Sequence, residues 1–327
     1  MMVALLQVSG SSTVRRGTAT RKVKKRSASS QTQTTVAPRQ RKANRSVKGG
    51  SLTVRSPIPS RQSKVGREAL KLPSLRGTLS VIISARNEEQ TLGRLLQQVS
   101  RLEPAEIIVV LNGCSDSSFP ISRQHRQAVV VHCPESVGHD VGRAIGAKLS
   151  RGDILLFLDG DMVIPASQLG LFTAAVDNGI DVALNDLDPL MPSFGLCDDV
   201  TRSKLFLNYA LGRYDLGVSS MTAVPHALSR RALEIIGYRE LIVPPKAQAL
   251  SVLEKLRVEK VGTVNVIKHN RLRQANIGAG NAVEKLIIGD HAEALLEVLS
   301  RRDDGGLRNS ETQREYRRQV AAWRNRI

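Results

Sequence analysis

Short apolar runs that alternate with helical patterns begin at Leu79, and they constrain the fold more than any other feature of the chain. Runs at residues 79–84, 106–111, 128–132 and 154–158 each have the length of one buried strand. Amphipathic or polar stretches separate them. Because such alternation is typical of a parallel sheet covered by helices, we predict an α/β domain with a mostly parallel sheet.

Capping and breaker residues place the other elements. Asn87, with Gln90 three positions later, has the capping-box pattern and predicts a helix through about Arg101. Pro165 suits the first turn of a helix. The remaining predicted helices lie at residues 140–150, 165–177, 198–212, 225–236, 246–258, 282–300 and 311–326, and the remaining strands at 181–185 and 263–267.

Three of the predicted strands end in polar clusters, where open parallel sheets bind their ligands. The clusters are Arg86-Asn87-Glu88, Asn112 to Asp116, and Asp159-Gly160-Asp161. Two carboxylates at a strand end suit a divalent cation that links the protein to a phosphate, and Gly160 lets the phosphate approach the backbone. An isolated Asp-Gly-Asp would be a plain turn, but the clusters at equivalent strand ends favour a site.

The net charge of +18 is concentrated in the first 76 residues, which hold 18 Lys and Arg and one acid, Glu68. Since this segment also has few large apolar residues, we predict a disordered basic tail over residues 1–76. Almost no aromatic residue accompanies the charges, so we expect no specific nucleic-acid binding. The tail is expected either to contact an anionic membrane or polymer surface or to be a solvated extension without a specific role.

The location predicted from the sequence is cytoplasmic. Only three cysteines are present, no positive residue precedes the apolar start at residues 1–8, and no apolar run is long enough to span a bilayer. Any membrane contact is therefore expected at the inner membrane surface. The last predicted helix has Tyr316, Val320, Trp323 and Ile327 on one side, which fits either a membrane surface or the chain's own domain.

Three segments carry a family resemblance: LSVIISARNEEQTLGRLLQQV, EIIVVLNGCSDSS and GDILLFLDGDMVIP. In this order they resemble the nucleotide-binding half of family 2 glycosyltransferases, which have the GT-A fold, a Rossmann-like, mostly parallel sheet flanked by helices. The resemblance covers about residues 79–185 and continues more weakly to about 270. It implies a catalytic domain at 77–300, with a nucleotide-sugar-binding half (77–185) and an acceptor half (186–300), followed by a C-terminal basic helix (301–327).

The resemblance implies an activity as well. The chain would move a sugar from a nucleotide-diphosphate sugar donor to a glycan, lipid or small-molecule acceptor, with Mg2+ or Mn2+ as cofactor. Asp161 would bind the metal, Asp159 the ribose or the metal, and His269 would be a further metal ligand unless it is a surface histidine. The nucleotide-sugar contacts that it implies are Ala85, Arg86, Glu88, Asn112, Asp116, His139, Arg143, Asp159 and Gly160. For Arg143 the alternative is a solvated helix face, and for His139 a supporting role in its loop.

The general base is not identified by the sequence. Many relatives have a Glu-Asp pair beyond the acceptor loop, but the corresponding segment here, LIVPPKAQAL, contains no acid. An inverting transfer, which we expect, needs a carboxylate that takes the acceptor's proton. A retaining reaction stays open. The candidate bases are Asp186, Asp188 and Asp215, with Asp198 and Asp199 also available, and Ser219, Ser220 and Thr222 are expected to meet the acceptor.

Two other functions remain as alternatives. A nucleotidyltransferase uses a similar sheet and metal, but the segment SARNEEQ after the first strand is not the Gly-rich phosphate loop that such enzymes usually have. A non-catalytic protein that binds a nucleotide sugar or an anionic polymer is the second alternative. The missing acidic pair is its best support.

Overall fold

A central sheet with helices on both faces organises the part of the chain that the structure describes. The structure is a computed structural model, and it describes Leu72, residues 74–266, residues 281–303 and Arg318. All of these residues belong to one unit, Gly66–Ile327. The basic tail up to residue 71, His269 and nearly all of the predicted helix 311–326 lie outside the described residues.

The described elements alternate along the chain as the apolar runs predicted. The strands are β1 (Leu79–Ala85), β2 (Glu106–Asn112), β3 (Ala128–Cys133), β4 (Ile154–Asp159), β5 (Val182–Asn185), β6 (His226–Ser229) and β7 (Val258–Gly262). The α-helices are α1 (Leu92–Ser100), α2 (Ser118–Gln124), α3 (Val141–Leu149), α4 (Ala166–Asp177), α5 (Asp199–Ala210), α6 (Arg230–Ile236), α7 (Pro244–Leu253) and α8 (Ala282–Asp303). Short 3-10 helices lie at Asp188–Leu190, Phe194–Leu196, Tyr214–Leu216 and Tyr238–Ile242.

The sheet has the strand order β3-β2-β1-β4-β6-β5-β7. Strands β1 to β4 are parallel to one another, β6 is antiparallel to both β4 and β5, and β7 is parallel to β5. The predicted mostly parallel α/β sheet is therefore confirmed. Because the carboxyl ends of β1, β2 and β4 meet at one edge, the polar clusters that follow these strands lie together.

Two apolar layers cover the two faces of the sheet. Alternate residues of β1 point to opposite sides, so Ile83 packs with helices α1 and α4 while Ile82 packs with α3 and α7. Both side chains are fully buried, and burial of one such side chain contributes about 1.5–3 kcal/mol to folding. The two layers hold the strand ends rigidly in place.

Helix α3 lies unusually close to β1 because two of its residues are glycines. A Cβ atom on Gly142 would overlap Oγ of Ser84, and one on Gly146 would overlap Cγ2 of Ile82. The close packing brings the start of α3, with Arg143, against the ends of β1 and β4.

Two predicted elements differ in the structure because non-local contacts override the local pattern. Asn87 does not cap α1, which begins at Leu92; its backbone has a φ of 58° and its side chain accepts a hydrogen bond from the amide of Ser115. The predicted helix 225–236 is a strand over its first half, since His226–Ser229 pairs with β4 and β5 before α6 begins at Arg230.

Other boundaries shift by a few residues. Helix α7 ends at Leu253, and the last strand lies at Val258–Gly262, where it pairs with β5, rather than at the predicted 263–267. Helix α2 was not predicted, because its sequence follows a run of turn residues. Helix α8 continues to Asp303, so the first residues assigned to the C-terminal segment belong to it. In the described part of the chain, no helix combines the length and apolarity that crossing a bilayer requires.

Candidate functional site

A cavity of about 690 Å3 opens at the carboxyl edge of the sheet. One wall is formed by the end of β2, by the loops that follow β1, β3 and β4, and by the start of α3. The second wall is formed by Lys204 of α5, by residues 222–224 before β6, and by the first turns of α8. This position is where an open α/β sheet binds its ligand.

The loops after β1 and β4 are joined by backbone contacts. Ser84 stands opposite Asp159 in the sheet register, and its carbonyl accepts a hydrogen bond of 2.8 Å from the amide of Gly160. The hydroxyl of Thr91 donates to the carbonyl of Gly160 at 2.6 Å. A Cβ atom on Gly160 would lie 2.7 Å from Cβ of Ala85. A glycine is therefore needed at position 160 so that the two loops can touch. This requirement is additional to the predicted role of Gly160, which is to let a phosphate approach the backbone.

Asp116 joins the loops after β1 and β2. Its carboxylate accepts hydrogen bonds from the amide of Glu89 at 2.9 Å and from the amide of Ser118 at 3.0 Å. Burial alone would raise the pKa of Asp116, but hydrogen bonds from the Ser118 side chain and from these two amides outweigh it and lower the pKa, so the group stays ionised. Asp116 lies beside the cavity and is not one of its lining residues, and its contact with a base or ribose stays a prediction.

Asn112 holds the loop that leads into α3. Its side-chain oxygen accepts from the amide of Val137 at 2.8 Å, and its side-chain nitrogen donates to the carbonyl of Gly138 at 2.6 Å. His139, which follows Gly138 in this loop, is exposed and lines the cavity. Both residues are therefore at the cavity, with Asn112 positioning the loop that carries His139.

Arg143 is a buried cation beneath the cavity, with only 4% of its surface exposed. The guanidinium forms ion pairs with Asp140 at 3.1 Å and with Asp159 at 3.4 Å, and it donates to the carbonyl of Met221 at 3.2 Å. Burial by itself lowers the pKa of Arg143, but the carboxylates of Asp140, Asp159 and Asp161 outweigh it and raise the pKa. The alternative that Arg143 lies on a solvated helix face is wrong, because Gly142 and Gly146 allow α3 to pack closely against the sheet and Arg143 is buried there.

Asp159 and Asp161 both line the cavity, as do Ala85, Arg86 and Glu88. Within the described ranges, no group of three or more His, Cys, Asp or Glu side chains is arranged to hold a metal ion. A pair of carboxylates nevertheless fits Mg2+ or Mn2+, since such ions are commonly bound by one or two carboxylates, with substrate phosphates and water completing the coordination. His269, the third predicted ligand, lies outside the described residues.

The three candidate bases lie away from the cavity lining, each next to a basic side chain. Asp186 and Asp188 approach Nζ of Lys260 to 3.5 Å and 2.7 Å, and Asp215 pairs with Arg213 at 2.6 Å. The sheet order gives the reason for Asp186 and Asp188: β6 separates β5 from β4, so the residues after β5 are displaced from the Asp-Gly-Asp turn. The structure does not bring these acids to the site, and their role stays a prediction.

Lys204 and the apolar start of α8 are cavity residues that sequence reasoning missed. Lys204 is half-buried, and burial lowers its pKa to about 8 despite the opposing effect of Asp198. Of the serines and threonine expected at the acceptor, Thr222 lines the cavity, whereas Ser219 and Ser220 are buried. The only local signal for Lys204 is a basic residue within the apolar stretch KLFL of α5.

Comparisons with known proteins agree with this geometry. Residues 80–229 match the family described as glycosyl transferase family 2. A stretch of 114 residues, 32% of this chain, is 30% identical to the undecaprenyl-phosphate 4-deoxy-4-formamido-L-arabinose transferase of Edwardsiella ictaluri. The chain spans about a third of that relative, 35% of its length.

Solved structures of glucosyl-3-phosphoglycerate synthase from Mycobacterium tuberculosis share the fold. Its complex with Mn2+, uridine diphosphate and glucosyl-3-phosphoglycerate matches 68% of this chain and 80% of its own, with 18% identity and a TM-score of 0.50. A complex of the same enzyme with Mn2+, UDP-glucose and phosphoglyceric acid matches the same shares, with 19% identity and a TM-score of 0.52. The predicted GT-A type of fold is thereby confirmed, and residues 80–229 of this chain form a glycosyl transferase family 2 domain.

Proposed function

We propose that this chain is a glycosyltransferase that moves a sugar from a nucleoside diphosphate sugar to an acceptor, with Mg2+ or Mn2+ held by Asp159 and Asp161. One observation carries the proposal. Asp159 ends β4 and Asp161 follows it, and both carboxylates line a cavity to which the loops after β1 and β3 and the end of β2 also bring polar groups. The family 2 domain at residues 80–229 supports the same reaction class.

The donor would lie across the carboxyl ends of β1, β2 and β4. Ala85, Arg86 and Glu88 stand at the end of β1, where a nucleoside would be bound, and His139 lies at the start of α3. A bound divalent cation would supply positive charge to the diphosphate as it leaves. The protein fixes the carboxylates for that purpose in advance, because Arg143 pairs with Asp159 from below.

A uridine nucleotide is the donor class that we propose. Several of the mycobacterial structures with this fold contain uridine diphosphate or UDP-glucose together with Mn2+ or Mg2+. The polar groups after β1 and β2, which we assign to nucleoside binding, are held in place by the bonds of Asn87 with Ser115 and of Asp116 with Glu89. A nucleoside would meet a preformed pocket here.

Calorimetric titration of the full chain with uridine diphosphate, with and without Mn2+, tests the proposal. We expect metal-dependent binding by the wild type and its loss in Asp161→Ala. Glu259→Ala is the matched control, since Glu259 is an exposed acid on β7, and it should bind as the wild type does. Absence of metal-dependent binding in the wild type and the control would overturn the proposal. A hydrolysis screen with UDP-, GDP- and dTDP-sugars would then identify the nucleotide.

A further inference from the structure

The second wall of the cavity is largely apolar. Val283, Leu286 and Ile287 of α8 line it, and Leu286 keeps 43% of its surface exposed. Helix α8 is fixed against α5 and α7 by a small core of Leu207, Ala249 and Val298. The apolar face at the cavity is therefore held in position by packing further along the helix.

Lys204 is a cation set into this apolar wall. In the described part of the chain no carboxylate lies within ion-pair distance of its ammonium group, and the charge of Asp198, which raises the pKa of Lys204, does not offset the effect of burial. Burial lowers the pKa of Lys204 to about 8, which reflects the cost of holding a charge there. An anionic group of a ligand would offset this cost.

The Lys204 position differs from the proposed metal site. Asp159 pairs with Arg143 at 3.4 Å, and among the described residues neither Asp159 nor Asp161 forms an ion pair with Lys204. Thr222 lines the cavity too, and among the described residues its hydroxyl oxygen is buried without a hydrogen-bond partner. The second wall thus offers a cation, a hydroxyl group and an apolar surface, whereas the first wall offers carboxylates.

We propose that Lys204 and the α8 face of Val283, Leu286 and Ile287 form the acceptor subsite, for a molecule that carries a phosphate or carboxylate group next to an apolar portion. This inference rests on the proposed function and specifies its acceptor class. Lys204 binds the anionic group, and the apolar portion lies along α8. No covalent step takes place at Lys204.

Binding of three probes to the full chain, saturated with uridine diphosphate and Mn2+, tests the subsite: farnesyl phosphate, farnesol and 3-phosphoglycerate. The wild type should bind farnesyl phosphate about 10- to 100-fold more tightly than farnesol, as expected for a charge-assisted hydrogen bond. Lys204→Met should remove this difference and Lys204→Arg should keep most of it. Lys285→Met is the matched control, because Lys285 is an exposed lysine of α8 outside the cavity lining.

A second variant, Leu286→Ser, distinguishes an anionic ligand with an apolar chain from a small polar anion. It should weaken the binding of farnesyl phosphate and leave the binding of 3-phosphoglycerate unchanged. Equal binding of farnesyl phosphate by the wild type and Lys204→Met would overturn the role of Lys204. Binding of 3-phosphoglycerate as tight as that of farnesyl phosphate, with no effect of Leu286→Ser, would overturn the apolar half. If uridine diphosphate binds with Mn2+ in the same samples, either failure leaves the proposed function standing; if it does not bind, the proposed function itself fails.

Discussion

Replacement of Arg143 by methionine should destabilise the domain strongly, although the new side chain fills similar space. The Arg143 side chain is 5% exposed and the Asp140 side chain 10% exposed, so the substitution leaves a carboxylate buried without its cation. Loss of one partner of a buried pair typically costs about 3–5 kcal/mol. The pair with Asp159 adds little, about 1 kcal/mol or less, because that carboxylate is 35% exposed and solvent screens it. We therefore expect a loss of about 3–5 kcal/mol in the free energy of unfolding.

Urea denaturation followed by circular dichroism measures this loss. Arg143→Met with Asp140→Asn in the same chain should recover part of it, since the buried unpaired charge is then gone. Arg202→Met is the control, because Arg202 and Asp199 form a surface pair with side chains 44% and 65% exposed, and it should change stability by less than about 0.5 kcal/mol. A cost for Arg143→Met below about 1 kcal/mol, or no recovery in the double variant, would refute the reasoning.

Three further substitutions test other parts of the site. Gly160→Ala places a Cβ atom 2.7 Å from that of Ala85 and should cost about 1–3 kcal/mol and weaken binding of uridine diphosphate, as urea unfolding and calorimetry would measure; wild-type stability would contradict it. Lys204→Met should raise stability at pH 7 by about 1–3 kcal/mol. In the wild type, the pKa of Lys204 is 10.5 in the unfolded chain and about 8 in the folded chain, so the unfolded state binds more protons between these pH values. The stability advantage of the variant should therefore shrink as pH rises from about 8 to 10.5. Unfolding curves at pH 7, 9 and 10 measure this advantage, and a difference that stays constant with pH would contradict the prediction. Gly217→Ala, at a φ of 51° and with its Cβ overlapping the Asp188 carboxylate, should lower the thermal midpoint by several degrees, which calorimetric scanning would detect.

The first four strands could be predicted because their signal is local. Each is an apolar run, and each run ends where a polar or turn residue begins, so β1, β2, β3 and β4 lie within one residue of the predicted bounds. Their carboxyl ends then meet by topology alone. For this reason their shared position at one edge of the sheet could be predicted from the sequence for Arg86, Glu88, Asn112, Asp159 and Asp161.

The second wall of the cavity could not be predicted, since it depends on contacts between distant segments. Strand β6 has four residues and no distinctive periodicity; it is a strand because Phe157 pairs with His226 and Ala183 pairs with Ala227. Helix α8 reaches the cavity because it packs against α5 and α7, which are distant from it in sequence. Neither the apolar face of α8 nor the buried setting of Lys204 follows from the local pattern around these residues.

The distribution of carboxylates bears on the stereochemistry of the proposed transfer. Among the described residues, the acids that line the cavity are Glu88, Asp140, Asp159 and Asp161, and all four belong to the loops after β1 and β4 or to the start of α3. Asp140 and Asp159 are already paired with a buried arginine.

The acceptor wall offers a lysine and a threonine in place of an acid. An inverting transfer requires a carboxylate within reach of the acceptor's hydroxyl group. None of the described residues of the acceptor wall that line the cavity is such a carboxylate, and the anomeric configuration of the product, read by proton NMR, would decide between the inverting transfer expected from the sequence and a retaining one.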